Sequence, residues 1–396
     1  MKLVATPLTE WLDEHGEGLI ALRRNLHAHP ELSGAEHATT ELVEERLRLA
    51  GLEPRRLAVG TGLVCDLDPT NGNGFQPRFA LRADLDALAM TDDKDVSYAS
   101  RHPGVAHACG HDVHTTIVLG AALYFAHHRD LLAGPVRFVF QPAEERVPGG
   151  ALDVIRDGGL DGVAAIVGLH CEPKLDVGTI GLRSGAISSA ADMAVIRLVG
   201  PGGHTARPEL TVDLVTLAAR IIAELPTRVA GHLADPDEVK VVFGAIHAGD
   251  AANVIPTHCE LKASIRTPSL PVWERLAELV EHEVVSIVGE SGAVLEIDYT
   301  HGVPPVVNDA GVTDTLRRAA IAVVGAQSVA TVEQSWGGDD FAWFTREVPG
   351  TYVRLGVRSP SGPTLDLHAG HFDVDEGAIA LGVRLLVGAV HEHFHA

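Results

Sequence analysis

Apolar residues recur at helical spacing across residues 11–27, where Leu12, Leu19, Ile20, Leu22 and Leu26 are the inward candidates and Pro30 ends the run. A second helical stretch covers 38–50 and closes on Gly51. Short apolar runs at 78–82, 136–140 and 163–169 read as strands, and the run 117–126 reads as a helix. The residues just after each strand are informative. Arg82 leads into Asp84 and Asp86, Phe140 leads through Gln141 and Pro142 into Glu144 and Glu145, and Leu169 leads into His170. α/β sheets place their sites at the carboxyl ends of strands, so three strands delivering ionisable groups there predict one site.

The rhythm changes near Ser188. Strand 192–199, helix 212–225, strands 239–246 and 259–267, helix 272–288 and strand 293–299 come in the β-α-β-β-α-β order of a ferredoxin-like unit. Residues 188–299 are therefore expected to form a domain inserted into a larger α/β domain made of 1–187 and 300–396. Helix 313–324, strand 352–357 and helix 376–390 resume the α/β pattern. The tail from His391 to His395 is expected to fray in solvent. Asn71 to Gly74 is expected to form a surface turn.

Composition narrows the partners. The chain has 31 basic and 53 acidic residues, a net charge of −22, and no Lys/Arg run to offset it. Nucleic acid and anionic membranes are thereby disfavoured, and an anionic substrate needs a local cationic pocket. Cys65, Cys109, Cys171 and Cys259 show neither disulfide nor zinc-ribbon spacing, which points to reduced thiols. The opening residues are too acidic and too weakly apolar for a secretory signal. The run 117–126 is far short of a membrane span. A soluble cytoplasmic protein is the expectation.

The densest chemistry lies in His107-Ala108-Cys109-Gly110-His111-Asp112-Val113-His114. Cys109 and His111 are too close to share a helix face, so they converge on one point only from a turn or strand end, which Gly110 permits. Thiolate, imidazole and carboxylate together suit divalent zinc, manganese or cobalt, and a thiolate can bridge two ions. Cys109, His111, Glu145, His170 and a C-terminal histidine make a plausible ligand set. Glu144 and Glu145 are adjacent, and on an extended segment their side chains diverge. One can then hold metal while the other faces substrate as a general base. His368 and His371 lie three apart, and position alone does not choose between them. Gly200-Pro201-Gly202-Gly203-His204 lacks the signature of a nucleotide cradle and reads better as a turn presenting His204. Asn253 and the strand residue Arg266, a candidate carboxylate clamp, complete the set.

With these residues assembled, the chain resembles the M20 family of metallopeptidases, in particular its amidohydrolase branch of hippurate hydrolases, N-acyl-amino-acid deacylases and auxin-conjugate hydrolases. The likeness begins at Leu26-His27-Ala28-His29-Pro30-Glu31-Leu32-Ser33 and continues through the segments 81–88, 107–114, 140–145 and 168–170. Segments 202–204, 253–256 and 338–341 come next in the family's order. The resemblance implies an α/β/α catalytic domain holding two divalent metal ions per subunit, with an inserted ferredoxin-like lid. It makes Cys109, His111, Glu145 and His170 metal ligands and Glu144 the general base. The family's last ligand stands four positions before a phenylalanine, which selects His368 over His371. Arg82 stands where other branches carry a metal-binding histidine, with His111 as the substitute ligand. By the same resemblance His204 reaches a partner subunit's site in a homodimer joined through the lid; Asn253 and Arg266 on that lid are expected to hold the substrate's α-carboxylate.

The implied activity is cleavage of the amide of an N-acyl amino acid into a carboxylic acid and a free amino acid. A dipeptidase or aminobenzoyl-glutamate-type hydrolase shares that mechanism. A non-catalytic metal-bearing binding protein would need neither Glu144 nor His204. Two departures, Asp339 in place of the usual Glu and Glu209 in place of a second histidine, bear on substrate identity rather than on the chemistry.

Overall fold

The computed structural model describes residues 2–70 and 76–395, so the turn expected at 71–74 lies outside the described residues. Helix α1 (Lys2–Ala28) buries Trp11, Leu12, Leu19, Leu22 and Leu26, while Ile20 is half-buried. Helix α2 (His37–Leu49) turns Val43 and Leu47 inward. Strands β1 (Arg55–Arg56), β2 (Leu63–Leu67) and β3 (Arg78–Asp84) come after it. Helix α3 (His111–His127) starts six residues before the apolar run does, so His111, Asp112 and His114 belong to its first turns. Gly110 precedes it with φ of 86°, and a Cβ there would lie 2.7 Å from Cys171 Sγ. Glycine meets both the left-handed backbone and the close approach. Next come β4 (Val136–Gln141), α4 (Ala151–Arg156), β5 (Val163–Asp176), β6 (Ile180–Leu182) and β7 (Gly185–Ala186).

Residues Ser188–Val306, with Gln334–Asp339, form a second compact unit. Its elements are β8 (Ala191–Val199), β9 (Gly203–His204), α5 (Leu214–Gly231), β10 (Lys240–Ala248), β11 (Val254–Ile255), β12 (His258–Arg266), α6 (Leu270–Val288) and β13 (Val294–Val303). The main sheet runs β10-β12-β8-β13, antiparallel throughout, which is the ferredoxin-like order. Ile196, Leu198, Leu261 and Ile265 from one face join Leu217, Ile221, Leu276 and Val280 of the two helices in a core of their own. The opposite face leaves Met193 and Val242 exposed. Strands β9 and β11 form a small ribbon that continues β8 and β12.

The chain returns to the first unit through β14 (Val307–Asn308), α7 (Ala310–Val324), β15 (Val329–Thr331), α8 (Phe341–Glu347), β16 (Gly350–Arg358) and α9 (Gly377–His395). The eight-stranded sheet has the order β1-β2-β4-β3-β5-β16-β6-β15, with β4, β3, β5 and β16 mutually parallel. Residues of α1, α3, α7 and α9 pack with the sheet into one core. Burial on both faces explains why these strands read as continuous apolar runs.

Two expectations are corrected. His170 lies inside β5, not beyond its end, because β16 keeps pairing past it, with Arg354 opposite His170 and Leu355 opposite Cys171. The C-terminal tail does not fray. Helix α9 continues to His395, the His393 ring stacks on Phe79 at 4.4 Å, and Phe394 fills the space that Gly134 leaves open.

Candidate metal centre

The ends of β3 and β4, the start of α3 and the middle of β5 meet at one place. Thr115 Oγ1 donates to the Asp84 carbonyl at 2.7 Å, tying α3 to the end of β3. There the ligand-type atoms of Cys109, Glu145 and His368 lie within 4.8 Å of one another, as do those of His111, Glu144 and Glu145. Glu145 belongs to both groups. His170 Nε2 stands 3.4 Å from Cys109 Sγ, and His368 Nε2 stands 3.2 Å from Glu145 Oε1. All six residues, Cys109, His111, Glu144, Glu145, His170 and His368, are thus gathered in the first unit. His371 joins none of these groups among the described residues.

Glu144 and Glu145 do not sit on an extended segment, as expected. Ala143 before them has φ of 55°, and the chain turns there. Their carboxylates approach the same atom, His111 Nε2, at 3.9 Å each. His368 also has a left-handed backbone, φ 56°, and its N–H donates to the Ala108 carbonyl at 2.8 Å, which fastens its loop beside Cys109. Non-glycine residues in that region carry strain, which surrounding bonds must offset.

Sequence reasoning assigned no role to the groups that hold this cluster. His114 Nε2 accepts from the Cys171 N–H at 2.9 Å, so its proton is on Nδ1, which faces Asp84 at 2.7 Å. Both nitrogens are committed within the protein. Asp84 also receives Arg82 Nη1 at 2.6 Å, while Arg82 Nη2 reaches Asp340 at 3.0 Å. Asp112, next to His111, is gripped by Arg23 Nε and His27 Nδ1, each at 2.7 Å. Side chains of Arg82, Asp84, Asp340, Arg23, Asp112 and His27 are wholly buried. Nothing local in the sequence signals these pairings; only the fold shows which charge meets which.

The electrostatics suit cations. Burial opposes charge on His111, but Asp84, Asp86 and Glu145 outweigh it and push its pKa up to about 10. Against the cost of burial, His111, Arg82 and His114 hold the Asp84 carboxyl well below the usual carboxylate range. Burial, with Arg354 and His114 nearby, keeps His170 well below the usual imidazole range. His170 is therefore neutral, the form that binds metal. Its Nδ1 donates to the Cys171 carbonyl at 2.7 Å, leaving Nε2 as the free lone pair. His111 Nε2 is buried without a hydrogen-bond partner, and Glu145 Oε1 meets only histidine nitrogens. Orphaned donor-type atoms in a negative pocket fit two divalent cations.

The remaining site residues belong to the second unit. His204 and Asn253 are exposed and adjacent on the β9–β11 ribbon, where Val254 pairs with His204 and the Thr205 N–H donates to the Asn253 carbonyl at 3.3 Å. His204 Nδ1 accepts from the Ala206 N–H at 3.0 Å. Arg266 stands at the other end of β12, with Nη1 on the Trp336 carbonyl at 3.1 Å and Nε on Ser264 Oγ at 3.4 Å. Among the described residues it has no carboxylate partner, and burial lowers its pKa against the opposing charge of Asp192. The strand between His258 and Arg266 is roughly 26 Å long at ~3.3 Å per residue.

A model of Peptidase family M20/M25/M40 matches residues 80–392. Over 376 residues the chain is 44% identical to a Rhodococcus jostii (strain RHA1) protein named "Putative glutamate--cysteine ligase 2-3". The match covers 95% of this chain but only 46% of that relative's length. It is 37% identical over 303 residues to an N-acyl-L-amino acid amidohydrolase of Geobacillus stearothermophilus, covering 75% of this chain and 80% of that protein. A Bacillus subtilis structure described as a dinuclear metal binding peptidase from the M20 family superposes with a TM-score of 0.82. It is 31% identical and covers 96% of this chain and 98% of its own.

Proposed function

The chain belongs to peptidase family M20/M25/M40, and from that premise we propose that it cleaves N-acyl amino acids to a carboxylic acid and a free amino acid. It is a metal-dependent amidohydrolase. The observation that carries the substrate-level reading is the convergence of Cys109, His111, Glu145, His170 and His368 beside a second carboxylate, Glu144. Two divalent cations held by those five residues would acidify water and polarise an amide carbonyl. A thiolate with three imidazoles favours zinc, with manganese and cobalt as alternatives.

The chain's own groups supply the rest. Glu144 is only partly buried and takes the proton of the attacking water, then returns it to the leaving amine. His204 accepts a backbone N–H on Nδ1, so its neutral ring carries the proton on Nε2 and donates it to the developing oxyanion. Arg266, without a carboxylate of its own, receives the α-carboxylate of the substrate. His204 and Asn253 are separated from Arg266 by the length of β12, too far for one small substrate to touch both groups in one copy. We therefore assign His204 and Asn253 to the site of a second copy in a homodimer joined through this unit. No helix among the described residues is long and apolar enough to cross a membrane. No disulfide joins the four buried cysteines, which suits a reducing cytoplasm.

The test is Glu144→Gln. It should keep both ions and lose about 10²–10⁴-fold in turnover; near-normal turnover would remove Glu144 from the mechanism. Mixing that variant with His204→Ala should restore partial activity on subunit exchange, whereas full activity in an isolated monomer would refute the shared site. Benzoyl, acetyl, long-chain acyl and aminoacyl amides, tried on stripped protein reloaded with zinc, manganese or cobalt, separate acyl-amino-acid hydrolysis from dipeptidase action.

A further inference from the structure

Glu36 precedes the first residue of α2 and is fully buried, yet nothing in the chemistry above uses it. Its carboxylate does not cap its own helix. Instead Oε1 accepts from two backbone N–H groups, Gly34 at 2.7 Å and Ala143 at 2.8 Å. Oε2 is buried without a hydrogen-bond partner. Burial raises its pKa against the lowering effect of the Gly34 N–H, with Asp86 adding to the rise. An acid in so dry a place is costly to keep.

What it grips is the residue before the two site carboxylates. Ala143 has φ of 55°, where a Cβ is disfavoured. Its carbonyl is tied as well, accepting from the Gly150 N–H at 2.9 Å. A Cβ on Gly150 would collide with the Pro142 carbonyl, so the chain is closely confined there. The mount is firm on the other side too. One turn into α2, Thr40 Oγ1 accepts from the Gly62 N–H at 2.9 Å, and Gly62 itself lies against Phe140 and Pro142.

We propose that Glu36 is a positioning residue for the general base: its carboxyl fixes the left-handed turn at Ala143 and so sets where Glu144 and Glu145 deliver their carboxylates. The inference rests on the reading of Glu144 as the base. Without the bond from Oε1, Ala143 relaxes towards an ordinary backbone region. The change in φ one residue before Glu144 swings both carboxylates away from His111 Nε2, which they now approach at 3.9 Å.

Three variants test this. Glu36→Ala removes the acceptor, Glu36→Asp is one methylene too short to reach Ala143, and Glu36→Gln keeps an oxygen at the same place. The first two should lower kcat on the order of 10- to 100-fold with little change in KM, as a misplaced catalytic group does, while Glu36→Gln stays close to the parent. A readout on metal-free protein stands beside it: the Ala143 amide should exchange faster with solvent in Glu36→Ala and Glu36→Asp, and stay protected in Glu36→Gln. Adding Ala143→Gly to Glu36→Ala should recover part of the lost turnover, because glycine adopts positive φ without penalty.

A folded Glu36→Asp with parental kcat and unchanged Ala143 exchange would overturn the proposal. So would a double variant no better than Glu36→Ala. If Glu36→Ala fails to fold, the Asp and Gln variants decide the question. If Glu144→Gln itself turns over normally, the base assignment falls and this inference with it. If Glu144→Gln is dead while Glu36→Asp is normal, only the positioning role falls.

Discussion

In the eight-stranded sheet β4 is buried at every residue, and β3 at every residue but its first; in the four-stranded sheet, β8 and β12 alternate buried and open positions. The same contrast governs their charges. Arg82 is sealed between Asp84 and Asp340 with no solvent on any of the three side chains. Arg197, on β8, meets Glu260 and Glu296 with a third or more of its surface in water. In the first unit these buried charges are tolerated because they neutralise one another, so the cluster is interdependent. On the open face of the second, Arg197 and its two partners all keep contact with water. The first unit is built to hold a fixed constellation and the second to present side chains.

Removing one member of each pair sharpens that contrast most. Arg82→Met removes the buried cation that Asp84 and Asp340 share and should cost roughly 3–5 kcal/mol in denaturant unfolding of the first unit. Arg197→Met, the same change on the open sheet, should cost under about 1 kcal/mol. Equal losses would break the comparison.

Interdependence also predicts metal loss. Cys109→Ala should retain at most one of two ions by elemental analysis, since its thiolate lies between His170 and the Glu145–His368 pair. Two tightly held ions per chain would show that Cys109 is not the bridge. Arg266→Ala should leave unfolding of the second unit nearly unchanged, because no ion pair is lost. An Arg–carboxylate bond of about 1.5–3 kcal/mol corresponds to a drop of about ten- to a hundredfold in kcat/KM. The drop should vanish for substrates with an amidated carboxylate; a drop that persists there would assign Arg266 to packing.

The smallest effect lies at the rim of the first unit. Burial, reinforced by His395, holds His391 down to about 4, against about 6.5 in an unfolded chain. The unfolded chain takes up a proton that the folded chain refuses. Stability from this group is therefore full above about pH 6.5 and is lost as pH falls towards about 4. His391→Gln should make Tm fall slightly less steeply over that window; an identical slope would place His391 in water.

Much of this was legible in the residues. Apolar runs marked β3, β4, β16 and the six main elements of the second unit, because strands buried on both faces and amphipathic helices leave strong patterns. The five-residue β2 was missed, and so were the three-residue β6 and β15, which are too short for any period to register. The strand read as ending at Leu169 in fact runs on to Asp176. At the site, Cys109, His111, Glu144, Glu145 and His170 stood out through clustering and strand-end position. His368 could not be separated from His371 without the family resemblance. Glu36, and the pairing of Arg23 with Asp112, depend on contacts across 107 and 89 residues of chain that no local pattern encodes.

The way the chain enters and leaves the second unit gives the molecule a modular grammar. Val303 pairs with Ala191 on one side of the junction, and Val307 and Asn308 pair with Ala186 and Gly185 on the other. Outbound and homeward strands therefore run side by side. Directly opposed residues on antiparallel strands are about 5 Å apart, a gap that a two-residue hairpin turn closes. Apart from the six-residue segment Gln334–Asp339, the whole insert is a clause between two commas. Two crossovers at these positions would exchange one such clause for another while leaving the metal-binding sentence around it intact.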